Sequence, residues 1–144
     1  MNYRDITEAD IPLLIEWLKD FNSGIEYPGK APIDEEVAEG FFSRFIGHEW
    51  NAAIMAEHNN KPVATIGFTV MPHPWTGKTI LFKAFWYSVK PGAGVAILRY
   101  VVDMCQRGNI DHIVAGSMFP NSHRILERIG FKPAEMNYVF ELRN

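Results

Sequence analysis

From Tyr87 to Ala96 the chain reads Tyr-Ser-Val-Lys-Pro-Gly-Ala-Gly-Val-Ala, and helical spacing of apolar residues follows. A helix N-terminus leaves backbone N–H groups without intrahelical partners and carries partial positive charge, so it suits a pyrophosphate. Glycine lets the backbone approach phosphate oxygens and take conformations closed to other residues. Gly92, Ala93, Gly94, Val95 and Ala96 are therefore the first candidate nest for an anion. The same residues also make an ordinary strand-to-helix turn, so the turn alone does not assign a ligand. Other reactive side chains read more plainly. His73 belongs to a turn at the opposite end of its strand from Val89. Cys105 falls on the apolar stripe of a helix and reads as core. Arg124 and Arg128 are one helical turn apart and read as a solvated face, as does His123.

The elements that position these residues follow from hydrophobic period and punctuation. Tyr3 to Ile6 is a short strand, and Thr7 caps a helix with Asp10 as a variant capping box. Ile11, Leu14, Ile15, Leu18 and Phe21 give that helix one apolar face, which breaks at Asn22-Ser23-Gly24. A turn-rich loop, Ile25 to Lys30, precedes a second helix that starts at Asp34 with Val37, Phe41, Phe45 and Ile46 as its stripe. Ala52 to Glu57, Pro62 to Met71 and Lys78 to Val89 read as strands joined at Asn59-Asn60 and at Pro72 to Gly77. Short connections favour antiparallel neighbours. Val95, Leu98, Val101, Val102 and Cys105 mark a third helix closed by Gly108. His112 to Gly116 is a short strand, and Asn121 or Ser122 caps a last helix with Ile125, Leu126 and Ile129 inward. Met136 to Leu142 alternates as a final strand. The order β-α-α-β-β-β-α-β-α-β predicts an α/β fold, a mixed and mostly antiparallel sheet with helices on both faces.

At 144 residues with 47% hydrophobic content, the chain fits one domain, 1–144, with a real core. The net charge of −3 disfavours a nucleic-acid surface. No Cys/His spacing resembles a zinc site, so no metal is expected. No apolar run approaches the roughly 20 residues of a membrane span. The N-terminal residues lack the features of a signal peptide, and the lone cysteine fits a reducing compartment; both predict a cytoplasmic protein. A homodimer is compatible with this composition.

Two segments together resemble the GNAT (Gcn5-related N-acetyltransferase) family. Phe85 to Leu98 is similar to its strand, "V-x-P" and glycine-rich turn that opens a helix. Asn121 to Phe131 is similar to its "S-x-R-x-L-E-K-L-G-F" helix ending, especially in the branch that acetylates protein N-termini. The resemblance implies that acetyl-CoA is a co-substrate and a primary amine the acceptor. The backbone of Tyr87, Ser88 and Val89 would pair with pantetheine, and one of their N–H groups would polarise the thioester carbonyl. Such a donor is worth about 2.7–4 kcal/mol in comparable oxyanion holes. Ser122 would lie near the CoA sulfur as a donor to it, and Glu26 and Tyr27 would border the acceptor groove. Two positions depart from the pattern. Pro91 stands where the family has Arg or Gln, in a turn about three residues shorter than usual by alignment. Leu126 stands where many members have a tyrosine that protonates the thiolate. A thiol's reference pKa of about 8.5 makes thiolate a tolerable leaving group without it. These departures leave a catalytically inactive partner-binding domain, or an acyl-CoA sensor, as the rival expectation.

Overall fold

Alternation in the middle of the chain builds the sheet. The structure is a computed structural model and describes residues 1–143. β1 (Asn2–Asp5), β2 (Asn51–His58), β3 (Lys61–Pro72), β4 (Thr79–Ser88) and β5 (His112–Val114) lie side by side in chain order. β1 to β4 pair antiparallel, and β5 joins β4 in parallel. The β2–β3 hairpin turns on Asn59 and Asn60 at φ 53° and 63°, the left-handed conformation that asparagine tolerates and a tight hairpin requires.

Because successive strand residues point to opposite faces, each strand feeds two cores. Ala53 and Met55 face α1 (Ile11–Ser23) and α2 (Glu35–Ser43), against Leu14, Trp17, Ala38 and Phe42. Ile54 and Ala56 face the other way, with Ile66 and Leu81, toward Ile97, Leu98 and Val101 of α3 (Ala93–Arg107) and Leu126 of α4 (Pro120–Ile129). This is the expected mixed sheet with helices on both faces. Burying a Leu or Ile side chain fully is worth about 1.5–3 kcal/mol, so the two layers dominate cohesion. Arg4 clamps the entry to α1 by donating to both carboxylate oxygens of Asp10, at 2.7 and 2.9 Å. Asp10 also accepts from the Thr7 backbone N–H, completing the expected capping box around a short 3-10 turn, Glu8–Asp10.

The structure corrects several sequence expectations. Met136 to Leu142 is not a strand: Tyr138 and Phe140 are each 86% exposed, and no ladder forms there. Alternation only makes a strand when a neighbouring edge satisfies its backbone, and β5 is just three residues long. That strand was expected to reach Gly116; it stops at Val114. α2 buries Ala38 and Phe42 and leaves Val37 exposed, while Phe45 is buried just beyond the helix end. α3 buries Leu98, Val101 and Cys105 of its expected stripe, but Val95 and Val102 are only half-buried, and Ala93 and Ile97 complete the buried face instead. α4 begins at Pro120 with Phe119 at the cap position, so neither Asn121 nor Ser122 caps it. Proline needs no N–H partner at a first helical position, which moves the start upstream.

Candidate active site

The sheet opens where β4 outlasts β5. Their pairing ends at Phe82 with Val114, and β4 continues six residues further with β3 alone on its other side. A β-bulge marks the start of that free stretch. Phe68 pairs with Lys83 and Gly67 with Phe85, leaving Ala84 as the extra residue. Glycine is required opposite the bulge, since a Cβ on Gly67 would sit 2.1 Å from Phe85 Cε1. The Phe85 ring is wedged there by Phe41, Phe42 and Phe45, with ring centroids 6.1, 5.3 and 5.1 Å away. α2 thereby fixes the bulge.

Register then decides which backbone groups face the opening. The Val89 N–H donates to the Val63 carbonyl at 2.9 Å, so it points at β3. In an antiparallel ladder the hydrogen-bonding direction alternates along a strand. Tyr87 therefore also points its N–H toward β3, while Ser88 and Trp86 aim theirs at the free edge. Of the three expected backbone donors, Ser88 alone faces the gap.

The side chains alternate too. Tyr87 lies on the α1 face, its ring centroid 5.6 Å from that of Trp17. Burial, and then the charge of Asp20, raise its phenol pKa. Trp86 lies on the α3 face, and its indole N–H donates to the Gly94 carbonyl at 2.9 Å. That bond ties the open strand to the first turn of α3. Gly92 occupies the left-handed region at φ 82°, which glycine enters without a Cβ penalty, and it caps α3. Within the expected nest, Ala93 donates its N–H to Lys90 and Ala96 donates to Gly92. Gly94 and Val95 keep theirs free of backbone partners among the described residues. The arrangement is thus two adjacent free donors at a helix N-terminus, joined by one indole to an unpaired strand edge, a geometry chemically suited to an anion beside an extended amide chain.

Sequence reasoning missed Lys83. It stands where β4 parts from β5, and its ammonium donates across the gap to the Gly116 carbonyl. Burial pulls its pKa below the ordinary lysine value. The signal was a lone charged residue inside Ile80-Leu81-Phe82-Lys83-Ala84-Phe85-Trp86, an otherwise apolar strand. The other predicted residues scatter. Ser122 is the third residue of α4, half-buried, with its N–H donated to Phe119. The Phe119 ring meets Phe21 of α1 edge-on at 5.6 Å, so α4 starts beside the α1 end that leads into the Glu26–Tyr27 loop. Glu26 is exposed and paired with Lys30 at 3.0 Å, and Tyr27 donates to the Asn22 side chain. Both serve the loop's own structure. Leu126 is buried in the α3 core, where it has no proton to offer. His73 accepts from the Trp75 and Thr76 N–H groups in the β3–β4 turn. A ten-residue strand separates that turn from Ser88, roughly 30 Å at strand rise. His123 bonds the Ser117 carbonyl instead of projecting free. A depression of about 530 Å³ lined by Glu8, Ile11, Glu35 and Glu39 lies on the outer face of α1 and α2, away from the open edge. No described helix is long and apolar enough to cross a membrane.

No family model and no curated protein matches this sequence. Solved structures do match its shape over nearly the full length. A predicted acetyltransferase with acetyl-CoA from Clostridium acetobutylicum is similar at TM-score 0.75 and 23% identity, covering 98% of this chain and 96% of that one. A ribosomal-protein-alanine N-acetyltransferase from Brucella melitensis biovar Abortus 2308 is similar at 0.76 and 18%, covering 99% and 98%. A transcriptional regulator from Bacillus halodurans C-125 is similar at 0.79 and 16%, covering 98% and 99%. The chain therefore has the GNAT acetyltransferase fold. Fold by itself does not fix chemistry.

Proposed function

We propose that this chain is an N-acetyltransferase that moves an acetyl group from acetyl-CoA directly to a primary amine. The observation that carries the reading is the unpaired edge of β4 beyond Phe82, tied by Trp86 to a helix start with free N–H groups at Gly94 and Val95. In this reading the pyrophosphate rests on Gly94 and Val95, and the pantetheine amides complete the β4 edge at Trp86 and Ser88. An N–H facing that edge holds the thioester oxygen as it becomes an oxyanion. Lys83, whose neutral form burial favours, is the base that takes the proton an ammonium acceptor must lose before it has a lone pair. The amine nitrogen then attacks the carbonyl carbon, the C–S bond breaks, and CoA leaves as thiolate. Ser122 or water relays the second proton of the amine from the new amide nitrogen to the thiolate, giving the neutral amide and the thiol. Acetyl-CoA bound to the similar Clostridium acetobutylicum protein, and the acceptor named for the Brucella melitensis one, support a CoA-dependent transfer to an amine.

Buried Leu126, at the position where the resemblance leads one to expect a proton-donating tyrosine, favours a second reading, an acyl-CoA-binding module without turnover. Thermal shift with acetyl-CoA and thiol release across an amine panel separate the two. Binding with release supports the enzyme, whereas binding without release on every acceptor supports the sensor. At 100 times Kd a ligand stabilises by about 2.7 kcal/mol, so absence of any shift overturns both.

A further inference from the structure

Lys83 stands at the closed end of the opening in the sheet. β4 and β5 stay paired up to Phe82 and Val114, and the next residue of β4 sends its ammonium across the gap to the Gly116 carbonyl. Among the described residues no carboxylate pairs with it. Burial without a counter-charge disfavours the ammonium, so the neutral amine is easier to reach here than on an exposed lysine. The anion-binding geometry sets the direction in which a donor would run. Gly94 and Val95 offer their free N–H groups first, Ser88 and Trp86 follow at the edge, and Lys83 comes last. An extended arm that leaves a diphosphate at Gly94 and pairs at Ser88 and Trp86 therefore points its thioester at Lys83. Three residues separate Trp86 from Lys83, roughly 10 Å at strand rise. Beyond its last amide the arm has two methylenes, the sulfur and the carbonyl carbon, roughly 5 Å of chain, and the four-carbon lysine stem reaches about 6 Å. Together they span the distance.

We propose that Lys83 is a modification site: with acetyl-CoA bound and no acceptor present, its Nζ takes the acetyl group itself. The inference rests on the acetyl-CoA reading above and goes beyond it. A base placed to strip an incoming amine is itself a primary amine, and a desolvated lysine beside an electrophile is a nucleophile. The lone pair of the neutral amine attacks the thioester carbonyl carbon, the C–S bond breaks, and CoA leaves as thiolate. The proton shed by the new amide nitrogen passes through water to that thiolate. The products are Nε-acetylated Lys83 and the CoA thiol. The amide keeps one N–H for the Gly116 carbonyl, so the contact across the gap survives. It no longer accepts a proton, so the modified chain has lost its base. Cys105 does not compete, because it is buried in the α3 core.

Peptide mass spectrometry of the unaltered chain incubated with acetyl-CoA alone tests this, alongside a thermal shift with the same ligand. One acetyl group per chain is expected, on Lys83, with one equivalent of thiol released. The rate should not depend on protein concentration, since both reactants lie in one complex. It should exceed the rate at exposed Lys19 and Lys78 by at least about a hundredfold, given the effective molarities of held reactants. Lys83→Arg keeps a donor for Gly116, and it should lose the label while retaining the thermal shift. A thermal shift without acetyl on Lys83, or with Lys83 labelled no faster than Lys19 and Lys78, overturns the proposal and leaves the donor reading standing. Absence of any shift overturns the donor reading, and this proposal with it.

Discussion

Gly67→Ala is the substitution whose effect the geometry specifies most fully. The added methyl carbon falls 2.1 Å from Phe85 Cε1 and 2.3 Å from Cζ, far inside contact distance, so the ring has to move. It has little room, because Phe41, Phe42 and Phe45 surround it on the α2 side. Overpacking a filled site costs about 1–3 kcal/mol. Each displaced aromatic contact adds about 0.5–1.5. Against this, alanine in a strand recovers about 0.5–1 kcal/mol of the backbone entropy that glycine loses. A net destabilisation of about 2–3 kcal/mol is expected. Phe85→Ala alone should cost about 3 kcal/mol for its cavity. With the ring gone, however, the clash is gone too, and Gly67→Ala becomes neutral or slightly stabilising in that background. The coupling energy is then about 2–3 kcal/mol. Urea unfolding of the four proteins measures it, with the slope m checked for constancy so that midpoints report stability alone. Equal losses for Gly67→Ala in both backgrounds would refute the claim that this ring, packed on this glycine, sets the bulge.

Other perturbations probe the site and its frame. Trp86→Phe deletes the indole N–H bond to Gly94; it should lower stability by about 1 kcal/mol and weaken CoA binding roughly fivefold, read by calorimetric titration. For Lys83 the working form is the neutral amine, so kcat/KM should rise with pH along a limb whose midpoint lies below the ordinary 10.5 of lysine. Lys83→Met should remove that limb, and Lys83→Arg, charged throughout, should stay low at every pH; thiol release against pH for acceptors of different basicity reads this. Asp10 has its pKa lowered, first by the Arg4 hydrogen bond, so its stabilising share is present above the unfolded-state value of 3.8 and is lost as pH falls through the folded value. The stability gap between wild type and Asp10→Asn in urea should therefore be wide at neutral pH and narrow toward pH 3.

Much of the fold was legible because period and punctuation are local. The paired asparagines announced the β2–β3 hairpin, Thr7 and Asp10 announced the start of the first helix, and the switch from alternation to helical spacing after Pro91 announced α3. What was not legible depends on partners distant in sequence. Alternation at Met136 to Leu142 is a strand pattern, but whether an edge receives it is decided by β5, more than twenty residues upstream. The site was half legible for the same reason. Gly94 and Val95 could be read from a glycine-rich turn, but the direction of each N–H along β4 is set by pairing with β3. That pairing turns Val89 and Tyr87 away from the opening and Ser88 toward it. Lys83 was visible only as an oddity in an apolar run until the parting of β4 and β5 gave its charge a place.

The account rests on acetyl-CoA lying along the open edge of β4 with its diphosphate at the start of α3. Amide chemical-shift mapping during an acetyl-CoA titration tests this most directly. The account predicts that the N–H signals of Ser88, Gly94 and Val95 move in saturable fashion while those of Thr76 and Gly77, in the β3–β4 turn at the far end of β4, stay still. Saturable shifts confined to other surfaces, or none at all, would contradict it.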